Sequence, residues 1–316
     1  MRFIFTAFLS SFLLLACQDR SPGSSPTQPI EADRTITINM TFDRDIDFAV
    51  TNIAVVPNNV APWAGSLFVI DENGALHRSG IESGAFKQIA TDIDDMSPFA
   101  RVNMAGIILT RSLTGKIKGF IEVNDEGDYN PLPLSKAPND IDVFCQTDRL
   151  TTSRVYAASG QKISALERIS SGDNYHIEAA EIKGLKIDKG RECLISAGGD
   201  DIRVLDTPPQ AVQAGLLPNN ILSGDAVLFT TAASLDSPRL YVSHEGHITA
   251  INITGGLSSK APSQIDSFYI IQNSLGGVLR DGGLILADNK TQRLIYISLD
   301  FIQKRLSEAA PKQDNN

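Results

Sequence analysis

The sequence predicts an all-β chain folded as a six-bladed β-propeller, with an N-terminal strand closing the last blade. Two observations carry this. A hairpin-like unit recurs six times: an apolar β-rich run, a tight polar turn containing Gly, Asn or Asp, and a second run alternating apolar with polar. The units begin at Leu67, Ile107, Val155, Cys193, Leu240 and Leu284, roughly 38 to 48 residues apart, the interval of one four-stranded blade. A lone hairpin cannot bury both faces, whereas six radial sheets packed face to face can.

Taken in chain order, the first element is MRFIFTAFLSSFLLLAC, residues 1–17. Arg2 is its one basic residue, and the Phe- and Leu-rich run ends at Leu14-Leu15-Ala16-Cys17. The run has the length of a signal-peptide core, and the small residue before a cysteine resembles the bacterial lipobox, in which Cys17 is acylated and becomes the mature N-terminus. The alternative is a short anchor that is never cleaved. Gln18 rather than an aspartate follows the cysteine; by resemblance to Gram-negative lipoproteins this implies the outer membrane. Residues 18–34, QDRSPGSSPTQPIEADR, hold too little apolar surface to pack and read as a flexible linker. No later segment carries about 18 uninterrupted apolar residues, so lipid is the only membrane attachment expected.

The folded body is expected over 35–305. RTITINMTF, residues 34–42, reads as the outer strand of the last blade, closing the circle. The six hairpins follow, in GSLFVIDENGALHRSG (65–80), GIILTRSLTGKIKGFIEV (106–123), RVYAASGQKISALERI (154–169), ECLISAGGDDIRVLD (192–206), RLYVSHEGHITAINI (239–253) and GGLILADNKTQRLIYISL (282–299). His244-Glu245-Gly246-His247 invites a metal reading, but it occupies the place that DENG, SLTG and DNKTQ fill elsewhere, so it reads as a turn; a metal there would need further ligands, and none is indicated. His77 and His176 have no partner in view. QKRLSEAAPKQDNN, at the end, reads as a helical turn at most followed by a polar tail over 306–316.

Charge and motifs exclude several classes. A net charge of -9 over 316 residues repels a phosphate backbone, so nucleic acid is not an expected partner. The sequence contains no Gly-x-Ser-x-Gly elbow, Walker loop, CxxC or HExxH. Once Cys17 is set aside, Cys145 and Cys193 remain as an even pair in an oxidising compartment; a disulfide suits them, and so does a pair of buried free thiols.

From about Phe48 to Gln303 the repeat resembles the β-propeller phytases. IDDMSPFARVNMAGIILTRSLTGKIKGFIEVND (93–125) is similar to that family's strand and Asn-Arg-Ser hairpin, DIDVFCQTDRLTTSRVYAASGQKISALERI (140–169) to its next blade, and DGGLILADNKTQRLIYISLDFI (281–302) to its closing segment. The resemblance implies calcium ions held by carboxylates at the top of the channel, with Lys and Arg binding phosphate while water attacks phosphorus. Carried over, Arg111 and Lys162 are the phosphate-binding candidates, while Asp266 and Asp288 match acidic positions. Asp200 and Asp201, in the turn that replaces the family's acidic one, and Asp94 and Asp95, with Asp92 beside them, are further metal candidates. The pattern is otherwise depleted. Thr51-Asn52 stands where the family has two aspartates, Ile182-Lys183-Gly184-Leu185 where it has a calcium-binding glutamate, and only Asp225 remains in LSGDAVL.

Two functions follow. The first is an envelope lipoprotein whose phytase-like propeller is degenerate in its calcium and catalytic sites and binds a small molecule or a protein, as a monomer. The alternative is a calcium-dependent, 3-phytase-like phosphoester hydrolase acting on inositol phosphates.

Overall fold

Two segments, β1 (Arg34–Asn39) and β2 (Phe42–Asp45), precede the first blade of the computed structural model. Blade one comprises β3 (Val50–Val56), β4 (Ser66–Asp71), β5 (Leu76–Gly80) and β6 (Lys87–Ala90), paired in that order from the channel outward. Blade two repeats the pattern with β7 (Ile93–Val102), β8 (Ala105–Ser112), β9 (Ile117–Glu122) and β10 (Tyr129–Leu132). The structure describes residues 30–309 apart from 59–60, 62–63, 103–104, 123–128, 136–139, 172–173, 189–191, 198–201, 232–239 and 257–258. The chain divides after residue 30, and the propeller belongs to the second unit, 31–316. Cys17, the rest of residues 1–29, Asp200, Asp201 and residues 310–316 lie outside the described residues.

The middle strands explain why the hairpins read as almost unbroken apolar runs. Successive side chains of a strand point to opposite faces, and in a radial sheet both faces meet a neighbouring blade. In β4, Leu67 and Val69 join the core shared with blade six, whereas Phe68 and Ile70 join the core shared with blade two. All six residues of β4 are buried as a result. The last blade, β23 (Ser267–Ile271), β24 (Gly283–Asp288) and β25 (Arg293–Ser298), behaves alike: Leu284 and Leu286 face blade five, Ile285 and Ala287 face blade one. All six hairpins read from the sequence are present.

Blade three adds β11 (Leu134–Ser135), β12 (Val143–Phe144), β14 (Arg154–Ser159), β15 (Lys162–Ser171) and β16 (Asn174–Lys186). Among the described residues blade four is thinner, with β13 (Gln146–Thr147), β17 (Leu194–Ser196) and β18 (Arg203–Leu205). Its innermost strand is the continuation of blade three's: β12 pairs antiparallel with β14, and two residues later β13 pairs parallel with β17. Cys145 lies between the two halves and is disulfide-bonded to Cys193, just before β17. Both cysteines are buried in the core between these blades. The sequence left a bond and free thiols open; the structure resolves this as a bond.

Blade five holds β19 (Ala211–Leu217), β20 (Ala226–Thr231), β21 (Leu240–His244) and β22 (His247–Thr254). Here the N-terminal expectation needs correction. Most of RTITINMTF, as β1, runs parallel to β22 and forms a fifth strand on blade five. Closure of the last blade falls to β2, antiparallel to β25, and so to Phe42 onward. At the other end, residues 306–309 are not tail. They complete α1 (Leu299–Ala309), whose Leu299, Ile302 and Leu306 recur at i, i+3 and i+7 and enter the core between blades five and six. Among the described residues no helix is long and apolar enough to cross a membrane.

Ring closure at the seam between blades six and one rests partly on a single amide. The Asn289 side chain accepts from the Val50 N–H at 2.8 Å and donates to the Val50 carbonyl at 2.9 Å. Val50 is fully buried. Asn289→Ala therefore leaves a buried donor and acceptor unpaired and is expected to cost about 2–4 kcal/mol in thermal unfolding; a loss below ~0.5 kcal/mol would show that the seam does not depend on it. The disulfide closes a loop with a sequence separation of 48. By chain entropy, replacing Cys145 and Cys193 with serine should lower the unfolding free energy by about 4 kcal/mol, read from guanidinium denaturation.

Candidate functional site

A two-residue motif, Ile-Asp, organises one face of the ring. The Ile46 N–H donates to the Gln292 carbonyl in the hairpin turn of the preceding blade at 2.9 Å; Ile93 does the same to Gly74 at 2.9 Å, Ile141 to Gly115 and Ile187 to Gln161, both at 3.3 Å. Each isoleucine is buried. The following aspartates, Asp47, Asp94, Asp142 and Asp188, therefore recur at equivalent places of the ring, and Ile265-Asp266 repeats the pair in sequence. Three of them tie down their own blade's hairpin. Asp142 accepts from the Gly160 N–H at 2.6 Å and Asp266 from the Asn289 N–H at 2.8 Å, while Asp94 takes both arms of Arg111 at 2.9 Å. The signal is in the sequence, as Ile-Asp at intervals of roughly 46 to 48 residues from Ile46 to Ile187, outside the six hairpins themselves.

The expected phosphate ligands are thus engaged elsewhere. Arg111 directs its guanidinium at Asp94. Lys162 pairs at 3.2 Å with Glu181, both well exposed. Asp288 is fully buried, where it accepts from the Ser263 N–H at 2.7 Å and lies 3.5 Å from Arg293. Asp225 pairs with Arg203 at 2.8 Å. His244 and His247 pair across a two-residue turn in which Glu245 and Gly246 both have positive φ, 50° and 81°, as a type I′ hairpin requires. Among the described residues, no three His, Cys, Asp or Glu side chains are grouped to hold a metal ion. Of the described residues expected from the sequence, Asp94, Asp95 and Arg111 come together.

Asp95 is the hub of the mouth. One oxygen accepts from the Asn52 amide on β3 at 2.9 Å and from the Met96 N–H at 2.8 Å, the other from the Phe144 N–H on β12 at 2.8 Å. Three inner strands are bridged by one carboxylate. Asn52, which stands where the resemblance placed an aspartate, serves as a donor here; a second carboxylate would repel Asp95. Burial pushes Asp95 up to about 6, against the pull of the two amides and Arg111.

Beside this hub, the short inner strand of blade four leaves a cleft of about 270 Å³ whose lining includes Asp142, Val143, Ala158, Asp188, Glu192 and Val212. An adjoining cleft of about 140 Å³ shares Ile187, Asp188 and Glu192 and adds Asp206. Glu192 accepts no hydrogen bond from the described residues; burial, reinforced by the charge on Asp95, pushes its carboxyl up to about 7. Sequence reasoning missed Glu192, which no motif marks out. Its setting is made by segments of blades three, four and five that meet at the cleft.

No protein-family model matches the chain. No curated protein matches it either. Among solved structures, YCF48 bound to D1 peptide aligns over 84% of this chain and 99% of its own, with 10% identity and a TM-score of 0.42. A structural genomics protein of unknown function from Bacteroides thetaiotaomicron aligns over 82% and 74%, also with 10% identity and 0.42. In BBS1N in complex with ARL6DN the chain spans 66% of the matched chain's length, covering 80% of its own at 14% identity and a TM-score of 0.30. None of these likenesses bears on the site. The architecture stands on the six sheets themselves, and nothing in the comparisons points to the phytases.

Because Asp95 and Glu192 titrate above the ordinary carboxylate value of about 4, the native state keeps protons that the unfolded chain has already released. Stability from these two groups is full below about pH 4 and is lost as pH rises through 6 to 7. Between pH 5 and 8 the unfolding midpoint should fall with pH, and the Asp95→Asn/Glu192→Gln double variant should flatten that slope.

Proposed function

We propose that the chain is an envelope lipoprotein, anchored by an acyl group on Cys17 at the outer membrane, whose propeller is a binding module with no hydrolytic activity. Its ligand is a small organic cation, an amine or guanidinium, free or on a partner's side chain. The observation that carries this reading is Glu192: a carboxylate desolvated in a cleft of about 270 Å³, with no hydrogen-bond donor among the described residues. Its desolvation is already built into the fold, so a cation entering the cleft restores the missing partner at little further cost. Asp142 and Asp188 in the same lining add to the attraction. The signal-like segment of residues 1–17 and a disulfide, which persists in oxidising compartments, support the placement in the envelope. Calcium-dependent phosphate release finds no such support, since Arg111 is occupied by Asp94 and no three metal candidates within the described residues are grouped.

Thermal shift at pH 8 with butylamine, arginine methyl ester and a Lys/Arg-containing peptide tests this. Each should raise the unfolding midpoint while butanol does not, and Glu192→Gln should abolish the effect. A stronger response to the peptide than to the free amines would indicate a protein partner. Since the cation binds the ionised form, affinity should drop about tenfold between pH 8 and pH 6. No shift with any cation would sink the reading, and calcium uptake with phosphate release from inositol hexakisphosphate would replace it with the hydrolase.

A further inference from the structure

At the seam between blades six and one, a cavity of about 520 Å³ opens between the β2–β3 link and the loop joining β5 to β6. Phe48, Phe86 and His77 line it, with Arg44, Asp45 and Asp47. The aromatic wall is held in place from behind. Phe48 stacks on His77 with ring centres 4.5 Å apart and meets Phe86 edge-on at 5.3 Å. His77 is fixed by Asp71 at 3.0 Å, and that carboxylate also accepts from the N–H groups of Asn73 and Ala75. Arg44 lies 4.4 Å over the Phe86 ring, and its N–H groups go to the Ser79 hydroxyl and the carbonyls of Gly80 and Gly84.

Two carboxylates on the wall are left over as acceptors. Asp47 belongs to the Ile-Asp series, but in blade one Asp71 caps the hairpin turn itself, so Asp47 is released from the tie that Asp94, Asp142 and Asp266 make. Asp45 and Asp47 are exposed, and neither receives a hydrogen bond from the described residues. A ligand for this cavity must then present an apolar face to the aromatic rings and several hydroxyl donors to the two carboxylates. Arg44 on the same wall offsets one of the two carboxylates, and both are exposed to water, so the aromatic face and the hydrogen bonds weigh more here than net charge. We propose that the seam cavity binds a neutral pyranose saccharide, its apolar face set against the Phe48–Phe86 pair and its hydroxyls donating to Asp45 and Asp47.

Saturation-transfer NMR on the full chain tests this, with the protein in a polyoxyethylene detergent so that no sugar headgroup competes. The probes are methyl β-glucoside, methyl β-galactoside, N-acetylglucosamine and cellobiose, with choline as the cationic comparison. At least one sugar should show saturation of its ring protons. The Asp45→Asn/Asp47→Asn variant, altered only at exposed positions, should weaken binding at least about tenfold, one hydrogen-bonded carboxylate's worth. Phe86→Tyr should retain binding, and Glu192→Gln should leave it unchanged. The proposal is overturned if no sugar responds, if the double variant responds like the parent, or if choline binds more tightly than every sugar.

Discussion

At four of its six junctions the ring is held in register by the same backbone hydrogen bond, in which the isoleucine of an Ile-Asp pair donates to the hairpin turn of the preceding blade. Burial supplies the driving force for packing sheets face to face, but it is non-directional and would tolerate a slipped blade. The Ile-Asp pair supplies the direction. Its N–H reaches backward, and in blades two, three and six the carboxylate that follows holds a residue of its own blade's hairpin. At the seam, where the chain ends meet, the Asn289 amide adds a second connection to the one made by Ile46. Fixing these four isoleucines also fixes where the aspartates that follow them fall, so the electrostatics of the site are a by-product of how the ring is aligned.

The middle hairpins were legible because each strand is buried on both faces, which gives the unbroken runs of SLFVID and GLILAD. Strands further out or shared between blades carry weaker signatures. The short β12 and β13 cannot be told from a loop by pattern, and nothing local shows that Val143 and Gln146 serve different sheets. RTITINMTF reads as one strand because its β-branched residues continue up to Thr41. The break at Met40 and Thr41 comes from tertiary structure, where the Thr41 N–H pairs with Tyr296 on the last blade. The final helix was hidden by its polar face, although Leu299, Ile302 and Leu306 are spaced for burial.

Candidate residues were placed at the right ends of the right strands, but their occupation was not legible. Sequence shows that Arg111 and Asp288 flank turns; it does not show that one is spent on Asp94 and the other enclosed with Arg293. Glu192 was invisible for the opposite reason. Its chemistry arises from what surrounds it, and those neighbours come from distant parts of the chain, from Asp142 to Val212. The resemblance that suggested calcium chemistry followed the hairpins, which any propeller of this size would share.

The thinness of blade four has a mechanical consequence. Apolar clusters cement the junctions from blade five through six and one to four, and none is found among the described residues between four and five. A torus loaded uniformly yields at its least cemented joint, and here that joint lies beside the acidic cleft. Because Cys145 rivets blade four to blade three, the pair would swing as one leaf, so breathing of the ring would widen the cleft without unthreading either sheet.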